Sequence, residues 1–235
     1  ESGVENAPRF STTDEGVLQD IRTWAAPDLC AYMALQTEAL AAMARRLGKH
    51  AEADGFDAEH ARLCAAVNAL LWDEAAGLYF DRKPDGARVR SRTIASLMPL
   101  WAGIPDAARA ERLRDHIADP AAFDTLIPLP SVALNDPDFE RDMWRGPVWL
   151  NTSYGVIEGL RRYGFDDLAA AQAFRLCDGV FQAFARHGHF YEFYDPTAHR
   201  IDRLHRKRGN RWKRLTLGGG PVADFVGWTG LVNVM

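Results

Sequence analysis

The chain has 235 residues, is 47% hydrophobic and 26% charged, and carries a net charge of -4. That is enough apolar material for a substantial core, so one globular unit is expected rather than a disordered chain. No apolar run approaches the roughly 18 residues that cross a bilayer, and the acidic balance leaves no overall footprint for nucleic acid, so the expected partners are neutral or small. Cys30, Cys64 and Cys177 are odd in number and fall inside helical apolar patterns, which reads as reduced core thiols in a reducing, cytoplasmic compartment.

In chain order the pattern is mostly helical. Pro27-Asp28 is a helix start signal, and Leu29, Tyr32, Met33, Leu35, Leu40, Met43 and Leu47 follow at helical spacing, predicting a helix over about 28–48. "DAEHARLCAAVNALLW" repeats the pattern through Leu63, Val67, Leu70 and Leu71. After it, "DEAAGLYFDRKPDG" reads as turn, short extended "LYFD" and turn. "TIASLMPLWAG" with "AARAERLRDHIAD" predicts a second helical pair, and "GPVWLNTSYGVIEGLRRYG" with "FDDLAAAQAFRLCDGVFQAFARHG" a third. In each pair one helix is apolar all round and its partner amphipathic, as expected when inner helices are shielded by outer ones.

The loops carry the unusual chemistry. "ERDMWRGPVWLNTSY" gathers Trp144, Arg145, Trp149, Asn151 and Tyr154 around a Gly146-Pro147 break that begins a helix. "GHFYEFYDP" sets Glu192 among Phe190, Tyr191, Phe193 and Tyr194, and "ADFVGWTGL" adds Phe225 and Trp228. Ring faces beside a few planar donors and carboxylates suit sugars, which stack C–H faces on rings and need hydrogen bonds for their hydroxyls. His187 and His189 sit beside Glu192, but no third ligand group accompanies them, so neither a metal nor a cofactor is expected. "LGGGP" at 217–221 lacks the Lys-Ser/Thr that a phosphate loop requires.

Four segments resemble one family. "ESGVENAPR" is similar to the "ESG-x-D-N-S-P-R" segment of glycoside hydrolase family 63 and the mannosylglycerate hydrolase-like enzymes, which are related to family 37 trehalases. "WRGPVWLNTSYGVIEGLRRYG", "FYEFYDPTA" and "FVGWTGL" are similar to the later signatures, and they come in the family's order. The resemblance implies an all-α (α/α)6 toroid of helical hairpins with short β-hairpin excursions. It also implies an inverting exo-glycosidase acting on a small α-glucoside or α-mannoside, such as a disaccharide, a glycosylglycerate or an oligosaccharide end.

In such hydrolysis a protonated carboxyl serves the leaving oxygen while an ionised one activates water on the opposite face, with about 6.5–9.5 Å between them. Matching motif to motif puts the general acid at Glu5 and the general base at Glu192. Trp144, Arg145, Trp149, Asn151, Tyr154, Tyr191 and Trp228 are the implied substrate contacts. On the residues alone, Glu192 reads either as that base or as a structural ion-pair partner of Arg145 or Arg9.

The chain departs from the pattern in three ways. Glu5 stands where the family has Asp, so its carboxyl is carried one methylene further. A basic stretch at 199–220 precedes the closing signature and reads as a flexible insertion in a single domain spanning 1–235. About seven or eight helices are legible where a full toroid has twelve, so the toroid is expected to be incomplete, its front portion lying outside this sequence. An impaired remnant or a carbohydrate-binding helical domain is the alternative reading.

Overall fold

The computed structural model describes residues 3–10, 21–207, 212, 215 and 218–235. Among these, five α-helices form the frame: α1 (Pro27–Arg46), α2 (His50–Leu70), α3 (Ala107–Ile117), α4 (Leu150–Arg162) and α5 (Asp166–His187). Two small antiparallel hairpins follow α2, pairing Trp72–Asp73 with Leu78–Tyr79 and Asp81–Arg82 with Arg88–Val89. The predicted extended "LYFD" is thus divided between two hairpins.

α1 begins as the Pro27-Asp28 signal predicts, with Pro27 in the first turn, where its missing N–H costs nothing. Its buried stripe is a surprise: Ala31, Ala34, Thr37, Ala41 and Ala44 face inward. Leu29, Tyr32, Met33, Met43 and Leu47, which set the predicted period, are exposed. Small side chains on this stripe let α1 pack closely against its neighbours, α2 above all.

The predicted helix over "TIASLMPLWAG" is instead two 3-10 turns, Ile94–Ser96 and Met98–Leu100. Pro99 supplies the reason, because it has no N–H to donate and disfavours the α conformation at the residue before it. These turns pack against α4 at its glycines. A Cβ at Gly159 would lie 2.7 Å from Leu100 Cβ, and one at Gly155 would lie 2.7 Å from the Trp101 ring. α4 buries Leu150, Val156, Ile157 and Leu160 in the main core. α5 shields it from outside and ends at Gly188, whose φ of 76° is the left-handed C-terminal cap that favours glycine.

Short backbone bridges tie the loops together at one end of the helices. Val148 pairs antiparallel with both Pro130 and Tyr194, Thr93 with Val132, and Tyr191 with Ala223. This stitching carries the motif-bearing loops. Of the basic stretch 199–220, residues 208–211, 213, 214, 216 and 217 lie outside the described residues, while Leu204 and Arg206 are buried.

Candidate active site

A second, smaller apolar cluster lies under the stitched loops. It contains Ala7, Met143, Trp144, Trp149, Phe193 and Leu204, drawn from four separate stretches of the chain. Trp144 and Trp149 stack with ring centroids 3.8 Å apart and planes within 7°. Trp149 in turn meets Phe193 at 4.9 Å, and its indole N–H donates to the Met143 carbonyl at 2.9 Å. At 1% exposure, Trp149 is a buried support for Trp144.

The break before α4 is shaped by Gly146. A Cβ there would overlap the Glu140 carbonyl oxygen, and the Gly146 N–H donates to Ser131 Oγ at 2.9 Å. Only glycine lets the chain pass this close. Arg145 turns away to Glu140, with Nε 2.9 Å from the carboxylate.

The opening segment is pinned to this cluster by side chains. Asn6 donates through Nδ2 to the Asp142 carbonyl at 3.1 Å and accepts from the Trp144 N–H at 2.9 Å. Arg9 is buried between Asp28 and Asp81, donating to Asp28 through both terminal nitrogens and to Asp81 at 2.8 Å. One cation facing two buried carboxylates is an unbalanced triad. Burial, aided by the nearby Asp28 charge, pushes Asp81 up to about 6 although Arg9 opposes the shift. Glu5 projects from this pinned turn and is exposed, with 38% of its side chain accessible and Lys207 Nζ 3.9 Å away.

Glu192 is its opposite in burial, at 7% exposure. Its N–H donates to the Val222 carbonyl at 3.1 Å, and the next two residues lead into the Val148–Tyr194 pairing. Its carboxylate meets the Arg206 guanidinium. The cation against Glu192 is Arg206 of the basic stretch, whereas Arg145 pairs with Glu140 and Arg9 with Asp28 and Asp81. Of the two candidate carboxylates, Glu192 is thus buried and Glu5 exposed.

Beside the cluster lies a cavity of about 240 Å³ whose walls include Trp144, Trp228, Tyr32, Asn151, Arg9 and Asp28, with Gly3, Val4 and Ala7 closing one side. Asn151 Oδ1 is buried without a hydrogen-bond partner among the described residues, an acceptor awaiting a donor such as a sugar hydroxyl. Tyr32, exposed on one side, has its phenol desolvated where it lines the cavity near Asp28, which pushes it up to about 12, so at neutral pH it remains a hydrogen-bond donor. Trp228, 40% exposed, offers an accessible ring face.

The structure brings Trp144, Asn151 and Trp228 together on the cavity wall. Trp149 lies behind Trp144, Tyr154 packs edge-on against Trp101 at 6.1 Å, and Tyr191 is buried with its carbonyl accepting from Thr229 Oγ1 at 2.6 Å. Glu5 and Glu192 are outside the cavity lining. Sequence reasoning missed Tyr32, Asp28 and Arg206. Asp28 was visible only as a helix start, Tyr32 was absorbed into the apolar period, and nothing in a basic run distinguishes Arg206, which is buried, from its neighbours. Among the described residues no group of three or more His, Cys, Asp or Glu could hold a metal, and no helix is long and apolar enough to cross a membrane. Cys30, Cys64 and Cys177 are free thiols, each raised by burial above the ordinary cysteine value.

Residues 1–211 match the family described as "Mannosylglycerate hydrolase MGH1-like glycoside hydrolase domain". A mannosylglycerate hydrolase of Rubrobacter radiotolerans is 33% identical over 164 residues, covering 67% of this chain and 35% of its own length. The chain thus spans about a third of that curated relative. Among solved structures, the family 63 mannosylglycerate hydrolase of Thermus thermophilus in complex with glucose superposes with a TM-score of 0.64 at 33% identity, over 75% of this chain and 43% of that one. Neutral trehalase Nth1 of Saccharomyces cerevisiae shares the fold, with a TM-score of 0.68 at 18% identity over 84% of this chain and 37% of that one.

Proposed function

The chain belongs to the mannosylglycerate hydrolase-like glycoside hydrolases and carries part of the (α/α)6 toroid fold of that group, and from this membership we propose that it hydrolyses a small α-linked glucoside or mannoside. The observation that carries the reading is the convergence on one aromatic cluster. Ala7, two residues after Glu5, and Phe193, the residue after Glu192, pack into it from opposite ends of the chain. The cavity beside that cluster is of a size and lining that suit one sugar ring, stacked on Trp144 or Trp228 and bonded by Asn151 and Tyr32.

In the proposed reaction Glu192 takes a proton from water as its oxygen attacks the anomeric carbon. The glycosidic C–O bond breaks, and the leaving oxygen takes its proton from Glu5. Attack from the far side of the ring releases the opposite anomer. Mannosylglycerate is the first substrate to try, because the relatives are so named. Neutral aryl α-glucosides and α-mannosides come next.

The test is hydrolysis by the protein and by its Glu192→Gln form, with the product anomer followed by NMR. Loss of activity by about 10²- to 10⁴-fold, with the β-anomer appearing first in the parent, is the expected result. Unchanged turnover in Glu192→Gln would remove the base assignment. The second reading, a carbohydrate-binding domain without chemistry, draws on Glu5 and Glu192 lying outside the cavity lining. It predicts sugar binding with no turnover in any form.

A further inference from the structure

One short segment supplies a cation to each candidate carboxylate. Arg206, 6% exposed, contacts Glu192, and the adjacent Lys207 approaches Glu5 at 3.9 Å. The segment is docked, not loose. Leu204 is buried in the cluster of Trp144, Trp149 and Phe193. The His205 N–H donates to the Arg141 carbonyl at 2.8 Å, the Met143 N–H donates to the His205 carbonyl at 2.9 Å, and the Arg206 N–H donates to the Gly219 carbonyl at 3.0 Å.

These contacts oppose the chemistry that the carboxylates would perform. An acid must reach the leaving oxygen, yet Lys207 Nζ lies 3.9 Å from the Glu5 carboxylate. A base must offer an oxygen to water, yet the Arg206 guanidinium lies directly against the Glu192 carboxylate. Burial pushes Arg206 below the ordinary arginine value while Glu5 pulls it back, so the same guanidinium also feels the second carboxylate. Lys207 at φ 49° and Met143 at φ 50° both hold a left-handed backbone that residues with a Cβ rarely adopt. Such conformations persist only where surrounding contacts impose them, and these two flank the His205 bridge.

Building on the hydrolase reading above, we propose that Ile201–Lys207 is an autoinhibitory strap: Arg206 caps Glu192, Lys207 holds Glu5, and a sugar engages both carboxylates only when the strap lifts. Binding is then reduced by the fraction of molecules with the strap open. A strap closed in about nine molecules of ten weakens the apparent affinity about tenfold, which its removal restores.

The experiment measures glucose and mannose binding by calorimetry on the full chain, for the parent, Lys207→Met, and the double variant Arg206→Gln/Glu192→Gln, which removes the buried pair without stranding a charge. Hydrogen exchange at the amides of His205 and Arg206 is followed with and without sugar. Tightening of about tenfold in Lys207→Met or the double variant, with sugar lowering protection at both amides in the parent, is the expected result. Lys207→Met lies at the rim and tests the proposal even where the buried double variant does not fold. Equal or weaker binding in both variants, unchanged or increased protection on adding sugar, or no binding in any form overturns the strap. If sugar loosens the strap while Glu192→Gln still hydrolyses, the hydrolase assignment fails and the gate on sugar binding stands. If Glu192→Gln abolishes turnover while sugar leaves both amides protected, the strap alone fails.

Discussion

Glu192 sits in a loop held by its backbone, whereas Glu5 sits in a turn held by its neighbours' side chains. Around Glu192, the main chain bonds to Val222, and Tyr194 and Val148 exchange both N–H to carbonyl bonds, at 2.9 and 3.0 Å. Around Glu5, two local turn bonds, Ala7 to Val4 and Phe10 to Ala7, are supplemented by Asn6 and Arg9 reaching across the molecule. Backbone pairing is indifferent to most side-chain changes. A turn pinned by two side chains depends on both of them, so the acid-bearing segment is the more fragile half of the candidate site.

The strongest way to break that contrast is Arg9→Ala. It strands Asp28 and Asp81 as buried carboxylates without their cation, and a loss of about 3–5 kcal/mol in unfolding free energy is expected by denaturant titration. A loss below about 1 kcal/mol would show that the opening segment is not held through Arg9.

Glu5→Asp is expected next. Returning the carboxyl by one methylene alters its reach by about an ångström, and a gain in kcat of up to about 10²-fold is expected if the site is shaped for the shorter acid. A fall in kcat would instead show that the surrounding turn has adjusted to glutamate.

Asn6→Ala removes an acceptor from the Trp144 N–H and a donor to the Asp142 carbonyl, with an expected cost of about 1–3 kcal/mol. A substitution of Tyr194 to Phe, by comparison, spares the backbone pairing with Val148 and removes only the hydroxyl that accepts from the Tyr191 N–H at 3.0 Å. If the two variants cost the same, the distinction between side-chain-held and backbone-held segments is void.

The smallest effect is a slope. Asp81 has a folded-state value of about 6 against 3.8 ordinarily, so the folded state binds its proton more tightly than the unfolded chain. Its contribution is therefore most favourable below about pH 4 and is lost as the pH rises through about 6. Subtracting the stability curve of Asp81→Asn from that of the parent should leave a decline over that window. A flat difference would mean that Arg9 satisfies both carboxylates equally.

Legibility was uneven for physical reasons. The start of α1 at Pro27 and the end of α5 at Gly188 were readable because capping depends on local backbone chemistry. The buried face of α1 was not, since Ala31, Ala34 and Ala41 carry too little hydrophobicity to set a period against Leu29, Met33 and Met43. The 3-10 turns around Pro99 were signalled by the proline and outvoted by the apolar run around it. Trp149 could not be told from Trp144 by type, and only packing placed one behind the other.

The sequence by itself determined most of the helices, their capping residues and the motif segments that carry the family resemblance, because each depends on local spacing or on residue identity in order. Only the tertiary structure decided that Arg9 bridges two distant aspartates, that Glu192 is buried and Glu5 exposed, and that Arg206 and Lys207 reach these two carboxylates. A buried charge is partnered by whatever the fold brings within a few ångströms, and in this chain those partners lie far apart in sequence.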